Sequence, residues 1–338
     1  MTHLLIVGSK SPLALEKIYY KHLKSLGLEV SFFDPADFYK IQNIKDKINF
    51  RYFPGVLYKL ANEALLKVID RVRPDIVWIF KGMEFLPETL QAIKKKDIYL
   101  VNYNPDHPFI RTFASSGGRN VVDSVPCYDL HFCYSLSLTE TIQSQYKLKS
   151  YWLPFGYDLT NLEYESLQSE SEIHKICFIG NPDKVRAKTI NALAKLNYTI
   201  EVYGYNWNKF ISPGKRISIF NQVLGLEYWR ILRKYRVQIN IFRPHNINSH
   251  NMRTFEIPAC GGIQLAPFSK ENEIFFENRK EIFLYKDGEE LGDIVQDVMN
   301  RPITEINEIR QAARSRVVND QCSYESRAKY VAGILMGI

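Results

Sequence analysis

One feature constrains the fold of this chain above all others. Short apolar runs alternate with segments whose apolar residues recur at helical spacing, and the alternation is set out once and then begun again. Residues 3–7 are an apolar run, and Gly8, Ser9, Lys10, Ser11 and Pro12 make a turn. Leu13, Ile18, Tyr19, Leu23 and Leu26 then fall at helical spacing before Gly27 closes the segment. Residues 28–33 form the next run. A strand–helix–strand opening implies a parallel sheet with right-handed crossovers. The pattern predicts a helix over 53–72, a strand over 74–80, a helix over 87–96, strands over 99–103 and 130–134, and a helix over 138–146. Residues 151–156 end this half.

Residues 161–174 are polar and acidic, with Glu163, Glu165, Glu170 and Glu172, and read as an interdomain connection or a long surface loop. The alternation then restarts. Strands are expected over 175–179, 199–203, 237–242, 263–266 and 282–285. Helices are expected over 184–196, 227–235, 255–260, 289–299, 304–318 and 324–335, the last with Ser323 as N-cap. The 338 residues suit two domains of roughly 150 residues each. The expected fold is therefore α/β: two Rossmann-like, doubly wound domains, 1–160 and 175–320, facing an interdomain cleft where ligands bind. Residues 321–338 add a C-terminal helix free to pack back on the first domain.

The composition, 46% hydrophobic and 24% charged, is that of a globular protein and excludes a disordered or fibrous chain. The formal charge of +7 favours anionic partners without choosing among nucleotide diphosphates, anionic lipid headgroups and nucleic acid. The longest like-charge run, Lys94-Lys95-Lys96, is too short for a nucleic-acid tail. The five cysteines form no CxxC pair, so reduced thiols in a cytoplasmic protein are expected. The first residues enter a strand with no secretory leader, and no apolar run reaches the roughly 18 residues a membrane span needs. Peripheral contact with a cytoplasmic membrane face stays open.

Three loops could carry chemistry. Gly8 stands alone, so the G-x-G-x-x-G dinucleotide fingerprint is missing, and this loop is either a tight turn or a place of close approach. Gly180, Asn181, Pro182 and Asp183 lead into a helix carrying Lys184 and Arg186. Helix N-terminal N–H groups and two cations suit a phosphate; the alternative is a capped helix with solvated bases. The richest stretch runs from Asn240 to Glu256 and holds two Arg, two His and four Asn. That density of donors is poor core material. Arg243, Asn248, His250, Arg253, Thr254, Phe255 and Glu256 are candidate ligand contacts, whereas His245 reads better as a surface residue. Pro258 is expected in the first turn of a short helix. Gly261 and Gly262 then permit close backbone approach, with N–H groups free to face a phosphate.

The segment Arg253–Gly262, RTFEIPACGG, followed by Leu265-Ala266-Pro267 and Glu281 to Asp287, resembles the CgeB-like branch of the group 1 glycosyltransferases. The Phe178–Gly180 loop with Arg186, Tyr203-Gly204 and Asn240 to Arg243 fit upstream in order. The resemblance covers about 175–338. In the first half only the loop Asn104-Pro105-Asp106-His107-Pro108 is similar. This resemblance implies a GT-B fold and a glycosyltransferase that moves a sugar from a nucleotide-diphosphate donor to a hydroxyl of a polysaccharide, glycolipid or protein. A role in cell-surface polysaccharide biosynthesis is the setting it suggests.

Within that implication Glu256 accepts from the donor ribose, and Gly261 and Gly262 face the diphosphate or sugar. Gly180, Asn181, Arg186, Tyr203, Gly204, Arg243, His250, Thr254 and Phe255 complete the donor side. Arg253, Arg243 and Arg186 stabilise the leaving diphosphate without a metal or other cofactor. The family pattern carries a second Glu eight positions before the first, where this chain has Asn248, so neither the sugar nor the stereochemical course follows. Asp106 and His107 are the candidates for a base acting on the acceptor hydroxyl, or for a sugar-binding turn. Three other readings remain: a non-catalytic sugar-nucleotide-binding or degenerate transferase, a GT-B-like sugar-nucleotide epimerase, and, from charge alone, a nucleic-acid binder, which the reading does not favour.

Overall fold

The computed structural model describes residues 2–39, 44–46, 48, 54–110, 119–169, 171–243 and 248–337. The expected helix start at Phe53, the acidic Glu170 and the 244–247 stretch with His245 lie outside them. The chain divides into two compact units, one of residues 1–154 with 324–338 and one of residues 155–323.

The first unit is built on six parallel strands: β1 (His3–Val7), β2 (Glu29–Phe33), β3 (Ile76–Phe80), β4 (Tyr99–Asn104), β5 (Leu130–Cys133) and β6 (Lys149–Trp152). Their order is β2-β1-β3-β4-β5-β6. β3 is IVWIF with every residue buried, as a parallel strand covered on both faces must be. Three helices cross between strands: α1 (Leu15–Ser25), α2 (Pro54–Val72) and α3 (Pro87–Lys94). A short α4 (Arg119–Ser124) and α5 (Leu136–Tyr146) follow. Leu5, Val7, Leu65, Val77, Ile79, Leu90 and Leu100 form the core between sheet and helices.

The second unit repeats the plan. It begins not with a connection but with α6 (Asn161–Ser166), closed by a capping box in which the Thr160 hydroxyl accepts from Glu163 N and the Glu163 carboxylate accepts from Thr160 N. Its strands are β7 (Ile173–Ile179), β8 (Ile200–Tyr203), β9 (Ile217–Phe220), β10 (Tyr235–Ile239), β11 (Gln264–Pro267) and β12 (Phe283–Tyr285). The order β12-β11-β10-β7-β8-β9 is that of a Rossmann sheet, with its switch point between β7 and β10. The helices are α7 (Lys184–Lys195), α8 (Gly225–Lys234), α9 (Arg253–Ala259), α10 (Lys270–Phe275), α11 (Gly288–Asn300) and α12 (Ile303–Asn319). The last helix, α13 (Tyr324–Leu335), belongs to the first unit, where it packs on α1 and sets Tyr324 edge-on to Tyr19, 5.7 Å between ring centroids.

Pro258 is the sixth of seven residues in α9, not a first-turn residue. A proline there gives up one helical hydrogen bond, which helps explain why α9 is short. All five cysteines are buried and free. Among the described residues no helix is long and apolar enough to cross a membrane.

Candidate functional site

The switch point of the second unit gathers the loops after β7 and β10 with the start of α9. Gly180 follows β7 at φ +156°, with its N–H on Tyr203 O (2.9 Å) and its carbonyl accepting from Trp207 Nε1 (2.8 Å). A methyl group at Gly180 would lie 3.5 Å from Arg253 Nη2, so the Arg253 guanidinium rests beside this glycine. Arg253 opens α9, which is held by a reciprocal amide pair. Asn251 Nδ2 donates to Asn240 Oδ1 (2.7 Å), Asn240 Nδ2 donates to Asn251 Oδ1 (3.0 Å), and Asn251 Oδ1 also accepts from Thr254 N. The loop after β10 thereby fixes where α9 begins.

Arg186 comes to the same place from the first turn of α7. It is buried, and it binds protein rather than standing open: Nε and Nη2 donate to Ile241 O (3.2 and 3.1 Å) and Nη1 to Asn181 O (2.8 Å). Burial, then the nearby Arg253 guanidinium, pulls its pKa down to about 9, with Arg243 adding to the repulsion and Asp183 opposing it. Arg186 is therefore still a cation at neutral pH. The phosphate-cradling start of α7 needs correction. Asp183 caps that helix, accepting from Arg186 N at 2.9 Å, and its carboxylate stands where an anion would sit. Arg186 ties the two loops together and supplies field; the guanidinium beside Gly180 is that of Arg253.

Glu256 lies one turn beyond Arg253 on α9, 9% exposed, and its Oε2 accepts from Tyr228 Oη at 2.6 Å. Burial pushes this carboxyl above the usual range, while Arg253 and the Tyr228 hydroxyl pull it back. Tyr228, on α8, is a residue that the sequence did not single out.

Several expected ligand contacts prove to be framework. His250 is fully buried: its Nε2 accepts from Phe155 N (3.1 Å) and its Nδ1 faces Glu271 Oε2 (2.6 Å). These two bonds select the neutral tautomer with the proton on Nδ1. Phe155, Phe255 and Phe275 meet its ring edge-on. Phe255 and Thr254 are fully buried as well, the Thr254 hydroxyl accepting from Asn251 N. Tyr203 is buried, stacked on Phe220 and hydrogen-bonded to Tyr235.

Gly204 serves an internal approach, since a methyl there would fall 2.4 Å from Gly180 O. Gly261 and Gly262 lie at the C-terminal end of α9, where their N–H groups donate to Pro258 O (2.9 Å) and Ile257 O (2.8 Å). They close the helix and cannot also face a phosphate. A methyl at Gly262 would meet Leu232 O at 2.6 Å, so this glycine admits the end of α8. Asn181 and Asn248 are exposed, and Asn248 takes the left-handed conformation (φ 71°) that Asn tolerates and β-branched residues do not.

In the first unit Asp106 and His107 follow β4 at the carboxyl end of the sheet. Asn104 Oδ1 accepts from Asp106 N (3.0 Å), which shapes the turn, and Lys81 Nζ stands 2.8 Å from Asp106 Oδ2. The Gly8 loop closes on the protein: Ser9 N donates to Glu16 Oε1 (2.8 Å), and a methyl at Gly8 would strike Glu16. Burial raises the Glu16 and Glu84 carboxyls, and each also feels Asp34.

Two Rossmann-like units of this kind make a GT-B fold. Residues 186–333 match the model of the family described as glycosyl transferase-like, and this stretch contains Arg186, Arg243, Arg253 and Glu256. No curated protein matches the chain in sequence. Among solved structures, sucrose-phosphate synthase from Thermosynechococcus elongatus is similar with a TM-score of 0.74 at 10% identity, over 100% of this chain and 99% of that one. HepE from Anabaena in complex with UDP-glucose is similar with a TM-score of 0.67 at 12% identity, over 100% of both chains. A glycosyltransferase from Rickettsia africae gives 0.65 at 13% identity, over 98% of this chain and 97% of that one. At these identities the likeness is one of fold. The CgeB-like branch is not distinguished by any of them.

Proposed function

We propose that the protein is a glycosyltransferase that moves a sugar from a nucleotide-diphosphate donor to a hydroxyl acceptor, without a metal, and that it works in the cytoplasm. The observation that carries this reading is the pairing, on one short helix at the switch point, of the Arg253 guanidinium with the buried Glu256 carboxylate. Both lie in the stretch that matches the glycosyl transferase-like family. HepE, of the same fold, is seen with UDP-glucose, which makes a nucleotide sugar the first donor to try.

The chemistry divides among the residues. The acceptor oxygen attacks the anomeric carbon as the bond to the diphosphate breaks, and the bonding pair leaves with the diphosphate. Arg253, with Arg186 and Arg243 behind it, stabilises that growing negative charge. Glu256 accepts from the donor ribose. His107 takes the acceptor proton in an inverting course, and Asp106, already engaged by Lys81, helps to hold the turn. The acceptor is a glycan, a lipid or a protein.

The test is turnover with radiolabelled UDP-, GDP- and CMP-sugars, with and without EDTA and with mixed glycan and lipid acceptors. Transfer that survives EDTA and is lost in Arg253→Ala supports the reading. Nucleotide binding without turnover would instead support a degenerate transferase, and an epimerised sugar formed without acceptor would support an epimerase.

A further inference from the structure

We propose that Tyr228 is a positioning residue for the donor ribose: its hydroxyl holds one oxygen of Glu256 so that the other is presented to the ribose hydroxyls. The proposal rests on the reading of Glu256 as the ribose acceptor. The two residues lie 28 positions apart, on α8 and α9, and their side chains meet at 2.6 Å.

A carboxylate on a three-bond side chain has an end that turns freely unless something pins it. Arg253, one turn earlier on the same helix, acts on the Glu256 carboxylate through charge while its guanidinium rests beside Gly180, so the hydrogen bond to this carboxylate comes from another helix. Tyr228 supplies the fixed point from the neighbouring helix. An aromatic ring with two torsions holds a hydroxyl in place at less entropic cost than a long aliphatic chain would. Trp229 packs against the Tyr228 ring at 5.3 Å, and that packing is independent of the hydroxyl. Charge supports the same arrangement. A buried carboxylate needs hydrogen-bond donors to remain ionised, and the Tyr228 hydroxyl is one such donor within reach before any ligand arrives. An ionised, oriented carboxylate accepts from two vicinal hydroxyls more strongly than a protonated one, and with less ordering cost than a freely turning one.

The alternative is a staple between two helices, which would matter for stability alone. The two roles separate in an experiment on the intact chain. Affinities for UDP, GDP and ADP are measured by calorimetry, and the tightest nucleotide is compared with its 2′-deoxy form in the wild type, Tyr228→Phe and Glu256→Gln. Circular dichroism and the thermal midpoint report folding in each.

The wild type should prefer the ribonucleotide by about tenfold or more, the worth of one hydrogen bond to a charged group. Glu256→Gln should erase most of that preference, and Tyr228→Phe should cut it at least about threefold while the protein stays folded. A Tyr228→Phe protein that keeps the wild-type preference, when Glu256→Gln loses it, overturns the positioning role and leaves a staple. A Glu256→Gln protein that keeps the preference, or a wild type that binds none of the three nucleotides, overturns the ribose reading itself.

Discussion

His250 and Glu271 are joined 2.6 Å apart, Nδ1 to Oε2, with both side chains shut away from water. Ser249 Oγ donates to the same carboxylate oxygen at 2.7 Å, so the pair anchors the approach to α9. Removing the imidazole leaves a buried carboxylate short of a donor and Phe155 N without its acceptor. His250→Ala should therefore cost about 3 kcal/mol of stability. Urea denaturation followed by circular dichroism measures it. A loss of a few tenths would mean that the pair is not the anchor described.

Gly204 and Gly180 let β7 and β8 end side by side. At Gly204 φ is +152° and a methyl would lie 2.4 Å from the Gly180 carbonyl oxygen. Gly204→Ala combines backbone strain with a clash against main chain that cannot swing aside, for about 3 kcal/mol. The thermal midpoint should fall by several degrees. By contrast Gly214→Ala, where a methyl meets nothing within 4 Å, should be close to neutral.

Arg253 is proposed to act on charge and not on the nucleoside. Arg253→Ala should weaken UDP binding by about tenfold to a hundredfold and leave uridine binding nearly unchanged. Calorimetry with the two ligands separates the effects. Equal losses for both would assign Arg253 to the base or ribose instead. Arg186→Ala should behave differently, lowering stability as well, because three of its N–H groups hold the Ile241 and Asn181 carbonyls.

His131 gives the first unit a defined response to acid. Burial pushes it down to about 4, against the bond it makes to the Val125 carbonyl. Between the unfolded value near 6.5 and about 4 the unfolded chain holds a proton that the folded chain does not. Stability is thus lost as pH falls through that window, at up to about 1.4 kcal/mol per pH unit from this group. His131→Gln keeps a donor for Val125 and cannot titrate. The difference in stability between the two proteins should shrink or reverse from pH 7 to pH 4.5, and a difference that stays constant would reject the assignment.

Much of the fold was legible because burial on both faces of a parallel sheet writes continuous apolar runs such as IVWIF. The short β9, ISIF, escaped because four residues between polar neighbours carry no period of their own. α6 escaped for another reason. Its Thr-x-x-Glu capping box is present in the sequence, but among Glu165, Glu170 and Glu172 the Glu163 carboxylate reads equally as linker charge. In the candidate site, Arg253 and Glu256 stand out within their own segment, and their role toward a donor is what we propose. Tyr228 does not stand out, because its link to Glu256 spans 28 positions and exists only once α8 and α9 pack. His250 was misread because local sequence shows a polar residue but not the buried Glu271 that satisfies it. The glycine pair was misread because close approach says nothing of what approaches, and here it is α8.

α13 makes the first unit discontinuous in sequence, so its last helix is synthesised after both sheets. The second unit is one continuous stretch, residues 155–323, whereas the first needs residues 324–338 to cover Tyr19 on α1. On a ribosome the second unit can close while the first still waits for a helix made after both sheets, against the usual N-terminal-first sequence. An incomplete first unit would keep an apolar helix face open through that interval. The second unit is thus encoded by one stretch of chain, whereas the first can be rebuilt only by joining two separated stretches.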